Sequence, residues 1–218
     1  MKEFFKKYNH GLFALYLLLY LPWFIYLEKT VTTDFYVIHS PLDDIIPFCE
    51  WFIIPYYIWF LYVASACVYF FFNSRSEFIK MAIFLCVGMS ICLFICTIFP
   101  NGLELRPQTF ERDNLLIDLI KGLYLTDTPT NVFPSIHVYN SIGVQIAVSK
   151  SNCFKNKKLV NGISLIICIS ICLSTVFLKQ HSVIDVCGAC ILAFVMYQLV
   201  YSPFLSKFKE KASSNVTE

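Results

Sequence analysis

In the stretch STVFLKQHSVIDVCG, His181 and Asp185 stand four residues apart between two long apolar runs. Residues at i and i+4 lie on one helix face and can touch. A carboxylate bonded to one imidazole nitrogen fixes the tautomer and leaves the other nitrogen free to attack and form a covalent intermediate. That pairing accounts for Asp185, which lies one turn inside an apolar run where a carboxylate costs about 3 kcal/mol even on lenient insertion scales. A second group is Phe133-Pro134-Ser135-Ile136-His137. Pro134 suits a first helical position, and the free N–H groups of such a turn, with the Ser135 hydroxyl, form an anion site. His137 is placed to protonate a leaving oxygen. Arg106 and Lys179 add positive charge, Arg106 with the forked donors that suit phosphate oxygens, and Ser174 lies shortly before the turn carrying His181. A nucleophile, a proton donor and an oxyanion pocket together describe phosphoryl transfer.

The elements that would position these residues are membrane helices. Of 218 residues, 57% are hydrophobic and 15% charged, too apolar for an ordinary soluble domain. Six runs are expected to span a bilayer, at 12–28, 51–72, 80–99, 135–149, 159–178 and 183–205. The predicted fold is an all-α, six-helix membrane bundle forming a single domain over 1–218. The fourth run is short and carries Asn140, Ser141 and Gln145, so it belongs inside the bundle. The fifth and sixth runs are joined only by Lys179 to Ser182 and form a tight hairpin. The long segment 101–136 contains FERDNLLIDLIKGLYL, whose spacing predicts a short amphipathic helix on the outer surface.

Basic residues set the orientation. With six spans, one side receives Lys2, Lys6, Lys7, Arg75, Lys80, Lys150, Lys155, Lys157, Lys158, Lys207, Lys209 and Lys211. The other receives Lys29, Arg106, Arg112, Lys121 and Lys179. The positive-inside rule then puts both termini in the cytoplasm and the polar cluster outside. The net charge of +2 gives no reason to expect a nucleic-acid partner.

Structural readings compete for several positions. His10 and His39 read as polar caps at the interface, Ser135 and Ser174 double as helix caps, and Lys179 doubles as a snorkelling side chain. Trp23, Tyr26, Trp51, Tyr56, Tyr57 and Trp59 read as interfacial belts, and Asp43 and Asp44 as solvated loop residues. The ten cysteines, Cys187 and Cys190 included, read as packing residues, and Asn215-Val216-Thr217 as an unused sequon.

These residues resemble the type 2 phosphatidic acid phosphatase superfamily, whose signatures are Lys-x6-Arg-Pro, Pro-Ser-x-His and Ser-Arg-x5-His-x3-Asp. The second appears as Pro134-Ser135-Ile136-His137, the third as Ser174-Thr175 followed by His181 and Asp185, and the first survives as Arg106-Pro107. The resemblance implies an enzyme without metal or cofactor that acts on a lipid phosphate in the bilayer. It makes His181 the nucleophile, Asp185 its partner and His137 the general acid, with Arg106, Ser135 and Ser174 on the phosphate. Two cations of the pattern are absent, replaced by Phe99 and Thr175, and Lys179 is a candidate to replace one. That loss, with FPSIHV and KQHSVIDV, resembles the branch of sphingomyelin synthase and inositol phosphorylceramide synthase, which moves a phospho-headgroup to a lipid alcohol. A transporter would place ionisable residues at the midplane and on both faces, whereas these share one face. A metal hydrolase built on His137, His181 and Asp185 would lose activity in EDTA.

Overall fold

Runs of Leu, Ile, Phe and Val bounded by Ser or Asn make helices with defined starts, since the short polar side chains take up the orphan N–H groups of the first turn. Ser40, Ser74, Asn114, Ser135, Asn156 and Ser182 each cap a helix in this way. The structure, a computed structural model, describes residues 9–202. Lys2, Lys6, Lys7, Lys207, Lys209, Lys211, the tail of the sixth run and the Asn215 sequon therefore lie outside the described residues.

After a 3₁₀ segment (Asn9–Tyr16) come α1 (Leu17–Thr30), β1 (Tyr36–Val37), α2 (Pro41–Ile45) and a 3₁₀ turn (Glu50–Phe52). Then follow α3 (Ile53–Asn73), α4 (Arg75–Ile98), β2 (Asn101–Gly102), α5 (Leu115–Thr126), α6 (Ile136–Lys150), α7 (Lys157–Phe177) and α8 (Val183–Val200). The two short strands pair in parallel, Tyr36 opposite Asn101.

The described residues are thus mainly helical, and five helices are long and apolar enough to cross a membrane: His10–Thr30, Glu50–Asn73, Arg75–Ile98, Lys157–Phe177 and Val183–Val200. Their outer surfaces expose side chains such as Leu18, Leu61, Phe94, Ile166 and Phe194, as expected of a lipid-facing wall. The fourth predicted span is the 15-residue α6, which packs against α3, α4, α7 and α8 and buries residues all round its circumference. Two of its polar residues are bonded there, Ser141 Oγ donating to the His137 carbonyl at 2.7 Å and Gln145 bonding Asn161 and Ser164, while Asn140 Oδ1 is buried without a partner among the described residues.

The principal core gathers Phe70, Phe84, Val138, Tyr139, Ile171, Ala189 and their neighbours from α3, α4, α6, α7 and α8. At Gly88 a Cβ would collide with the Tyr139 ring, so only glycine permits this approach of α4 and α6. The Tyr139 hydroxyl donates to the Phe84 carbonyl at 2.7 Å. The segment 101–136 holds α5, whose Ile117, Ile120 and Leu123 pack with Ile53, Tyr56 and Leu178.

Several expectations need correction. Asp43 is buried rather than solvated, because it bonds the turn before α8. His10 is buried, with Nε2 on the Phe71 carbonyl, while exposed His39 pairs with Asp44 at 2.9 Å. Tyr56 and Trp59 face inward, whereas Tyr26 and Trp51 stay exposed. The ten cysteines are free thiols, and Cys187 and Cys190 lie on the exposed side of α8 instead of packing inside.

Candidate active site

The turn between α7 and α8 is the part of the chain that carries His181. Its backbone folds back on the end of α7, with the N–H groups of Gln180 and His181 both donating to the Thr175 carbonyl at 2.9 and 3.0 Å. Lys179 takes a left-handed conformation, φ 55°, to make the reversal. Ser182 and Asp185 then form a capping box at the start of α8, and the Asp185 carboxylate accepts from the Ser182 N–H at 2.9 Å. The same oxygen receives His181 Nδ1–H at 3.3 Å, and both side chains are buried. One local motif therefore gives one Asp185 oxygen two donors and orients the imidazole, while Asp185 Oδ1 is buried without a hydrogen-bond partner among the described residues.

His137 arrives from α6. Asn101, wholly buried, accepts from the N–H groups of Val132 and Phe133 at 2.9 and 2.8 Å and fixes the chain entering the cis Phe133–Pro134 bond. Ser135 N–H then donates to the Asp185 carbonyl at 3.3 Å, joining the start of α6 to α8. The His137 ring lies 5.7 Å from that of His181, centroid to centroid, and against Trp59 (4.4 Å) and Tyr56 (4.7 Å).

Both imidazoles line a cavity of about 360 Å³ whose wall also includes Gln180, Asp127, Glu28, Tyr56, Trp59 and Phe24. Tyr56 donates to the Asp127 carboxylate at 2.9 Å, and Glu28 accepts from Thr128 and Asn131. No Lys or Arg is among the described residues that line it.

The other expected site residues stand behind this wall. Ser135 is buried as the α6 N-cap, and Ser174 Oγ donates to the Ile171 carbonyl at 2.6 Å. Arg106 donates to the carbonyls of Tyr124 (3.2 Å) and Asp127 (2.8 Å) and to the Gln180 side chain, with its guanidinium over the Tyr124 ring at 4.5 Å. Burial pushes its pKa down from the usual value, against the pull of Asp127. Lys179 turns away, giving its ammonium to the carbonyls of Asp43 and Ile46. Burial lowers its pKa too, partly offset by Asp43 and Asp44. Of the two missing cations, Phe99 stacks on Tyr36 at 4.7 Å, and Thr175 Oγ1 donates to the Cys172 carbonyl.

The structure thus brings His137, His181 and Asp185 together, ties Arg106 to the cavity wall through Gln180 and the Asp127 carbonyl, and leaves Lys179 outside. Glu28, Asp127 and Gln180 were given no site role from the sequence, and Tyr56 and Trp59 were read there as interfacial belt residues. Gln180 alone carried a signal, being a polar residue in a four-residue turn beside the nucleophile candidate.

A family model described as the PAP2 superfamily matches residues 81–208, more than half of the chain. A search of curated proteins returns no match, and neither does a search of solved structures.

Proposed function

The chain belongs to the PAP2 superfamily, whose members are generally phosphatases or phosphotransferases, and from that premise we propose an integral-membrane enzyme that cleaves a lipid phosphate or diphosphate through a phosphohistidine. The observation that carries the reading is the pair of imidazoles on one cavity with a buried carboxylate behind one of them. In the first step the His181 Nε2 lone pair attacks phosphorus, an N–P bond forms and the P–O bond to the lipid breaks. His137 gives its proton to the leaving oxygen. In the second step a water oxygen attacks phosphorus, the N–P bond breaks and the proton of water passes to His137. Asp185 holds the His181 tautomer and stabilises positive charge on the ring in both. Arg106, Ser135 and Ser174 serve the phosphate side of the site from behind the cavity wall, and Lys179 secures the turn.

In this reading α6 is a sixth span at the centre of the bundle, both termini are cytoplasmic and the cavity opens at the outer leaflet. The asymmetry of Lys and Arg supports that orientation. Leu115, Leu119 and Leu125, exposed on α5, suit a helix lying on the membrane surface above the site.

A second reading, transfer of a phospho-headgroup to a lipid alcohol as in the sphingomyelin synthase branch, has its own support. Glu28 and Asp127 line the cavity without a lining cation, so a singly charged phosphodiester is better tolerated than a dianionic monoester. Here an alcohol oxygen replaces water in the second step. Labelled donor lipid supplied with and without alcohol acceptors separates the two, by whether the phosphate emerges free or esterified.

The decisive experiment uses purified protein with short-chain lipid phosphates and phosphodiesters. His181→Ala and His137→Ala should each abolish turnover with the thermal midpoint preserved. Full activity in His181→Ala would sink the nucleophile assignment. The chemistry needs no metal, so turnover should persist in EDTA; loss in EDTA and recovery on adding a divalent ion would contradict it.

A further inference from the structure

Gln180 is buried, 3% exposed, between Lys179 and His181, and its side chain lines the cavity that holds both imidazoles. Its Oε1 accepts from Arg106 Nη2, while its Nε2 is buried without a hydrogen-bond partner among the described residues. The amide cannot be turned round, because that would set its NH₂ against the guanidinium N–H, donor against donor. Arg106 is itself immobilised by the carbonyls of Tyr124 and Asp127 and does not line the cavity. Its bond to Oε1 fixes the orientation of the Gln180 amide. Trp59 repeats the pattern independently: its ring lines the same cavity 4.4 Å from that of His137, and its Nε1–H is also buried without a partner. Buried donors left unmade are costly, and native structures keep them where something else completes the bond.

Resting on the phosphoryl-transfer reading, we propose that Gln180 Nε2 and Trp59 Nε1 form a neutral subsite for the phosphoryl oxygens, with Arg106 as the positioning residue that aims Gln180. Two N–H donors beside the attacking and protonating imidazoles meet charge where it develops on phosphorus-bound oxygen, and being preorganised they need no rearrangement. They stand in for the cations absent at Phe99 and Thr175.

The test titrates full-length protein in detergent with orthovanadate, a phosphate-shaped oxyanion, by calorimetry, alongside turnover. Gln180→Met and Trp59→Phe should each weaken vanadate binding by about tenfold to a hundredfold, the loss expected for a hydrogen bond to a charged acceptor. Gln180→Glu keeps an acceptor for Arg106, so it should hold its thermal midpoint while losing vanadate. Arg106→Lys should weaken vanadate as Gln180→Met does, and the double variant should lose little more, since both changes remove one interaction. Wild-type vanadate affinity in Gln180→Met and Trp59→Phe, beside an inactive His181→Ala, overturns the subsite alone. Full turnover in His181→Ala overturns the underlying reading and the subsite with it. A thermal midpoint in Gln180→Glu that falls in step with affinity reduces Gln180 to a packing residue and also overturns the proposal.

Discussion

The carboxylate of Asp185 serves two neighbours with one oxygen, the N–H of Ser182 and the Nδ1–H of His181. The first bond is local helix capping, and the second turns the same motif toward chemistry. Asn at this position could keep one bond but would present an NH₂ that favours the wrong imidazole tautomer. Asp185→Asn should therefore reduce kcat by about a thousandfold or more, with a much smaller change in the thermal midpoint. Comparable losses in both would make the carboxylate a purely structural cap. The i, i+4 spacing of His181 and Asp185 and the Pro-Ser-x-His stretch made these residues readable from type and order. Gln180, Trp59 and Tyr56 were not readable in the same way. An amide or an aromatic ring declares no role until its hydrogen-bond partners, or their absence, are known.

At the scale of elements, the turn carrying His181 is clamped from two loops. Asp43, just after the Ser40 cap of α2, accepts from Ser182 Oγ at 2.6 Å and the Val183 N–H at 2.8 Å, and Lys179 donates back to the carbonyls of Asp43 and Ile46. Tyr124 of α5 donates to the Leu178 carbonyl at 2.6 Å. Asp43→Asn removes one acceptor from this buried set. It should cost about 2 kcal/mol of stability and reduce kcat as the turn loosens, read by thermal unfolding and turnover together. Lys179→Gln should also lower the thermal midpoint but leave KM for a lipid phosphate within about twofold, since its ammonium is occupied by carbonyls. A KM rise of tenfold or more would return Lys179 to the phosphate. The helical runs were visible in the sequence because a long apolar stretch is a local signal. The clamp was not, because Asp43 and Ser182 lie 139 residues apart and nothing local marks either as a partner.

For the molecule as a whole, α6 is the element on which the site depends. It carries His137, packs against four other helices, and approaches α4 closely enough that Gly88 admits no side chain. Gly88→Ala should press a methyl into the Tyr139 ring and destabilise the protein by about 1–3 kcal/mol or more, measured as a lower thermal midpoint in detergent. An unchanged midpoint would mean that the two helices can part without cost. The sequence by itself determined the membrane class, the helical runs and the types of residue capable of phosphoryl transfer. Each of these follows from composition, period or short spacing, which neighbours along the chain fix. Only the tertiary structure decided which polar groups face the cavity. His137 and His181 do so, Arg106 bonds Gln180 from behind the wall, and Lys179 and Asp43 hold the turn from outside. Burial and hydrogen-bond direction arise from segments distant in the chain meeting at one end of the bundle, and no local pattern encodes that meeting.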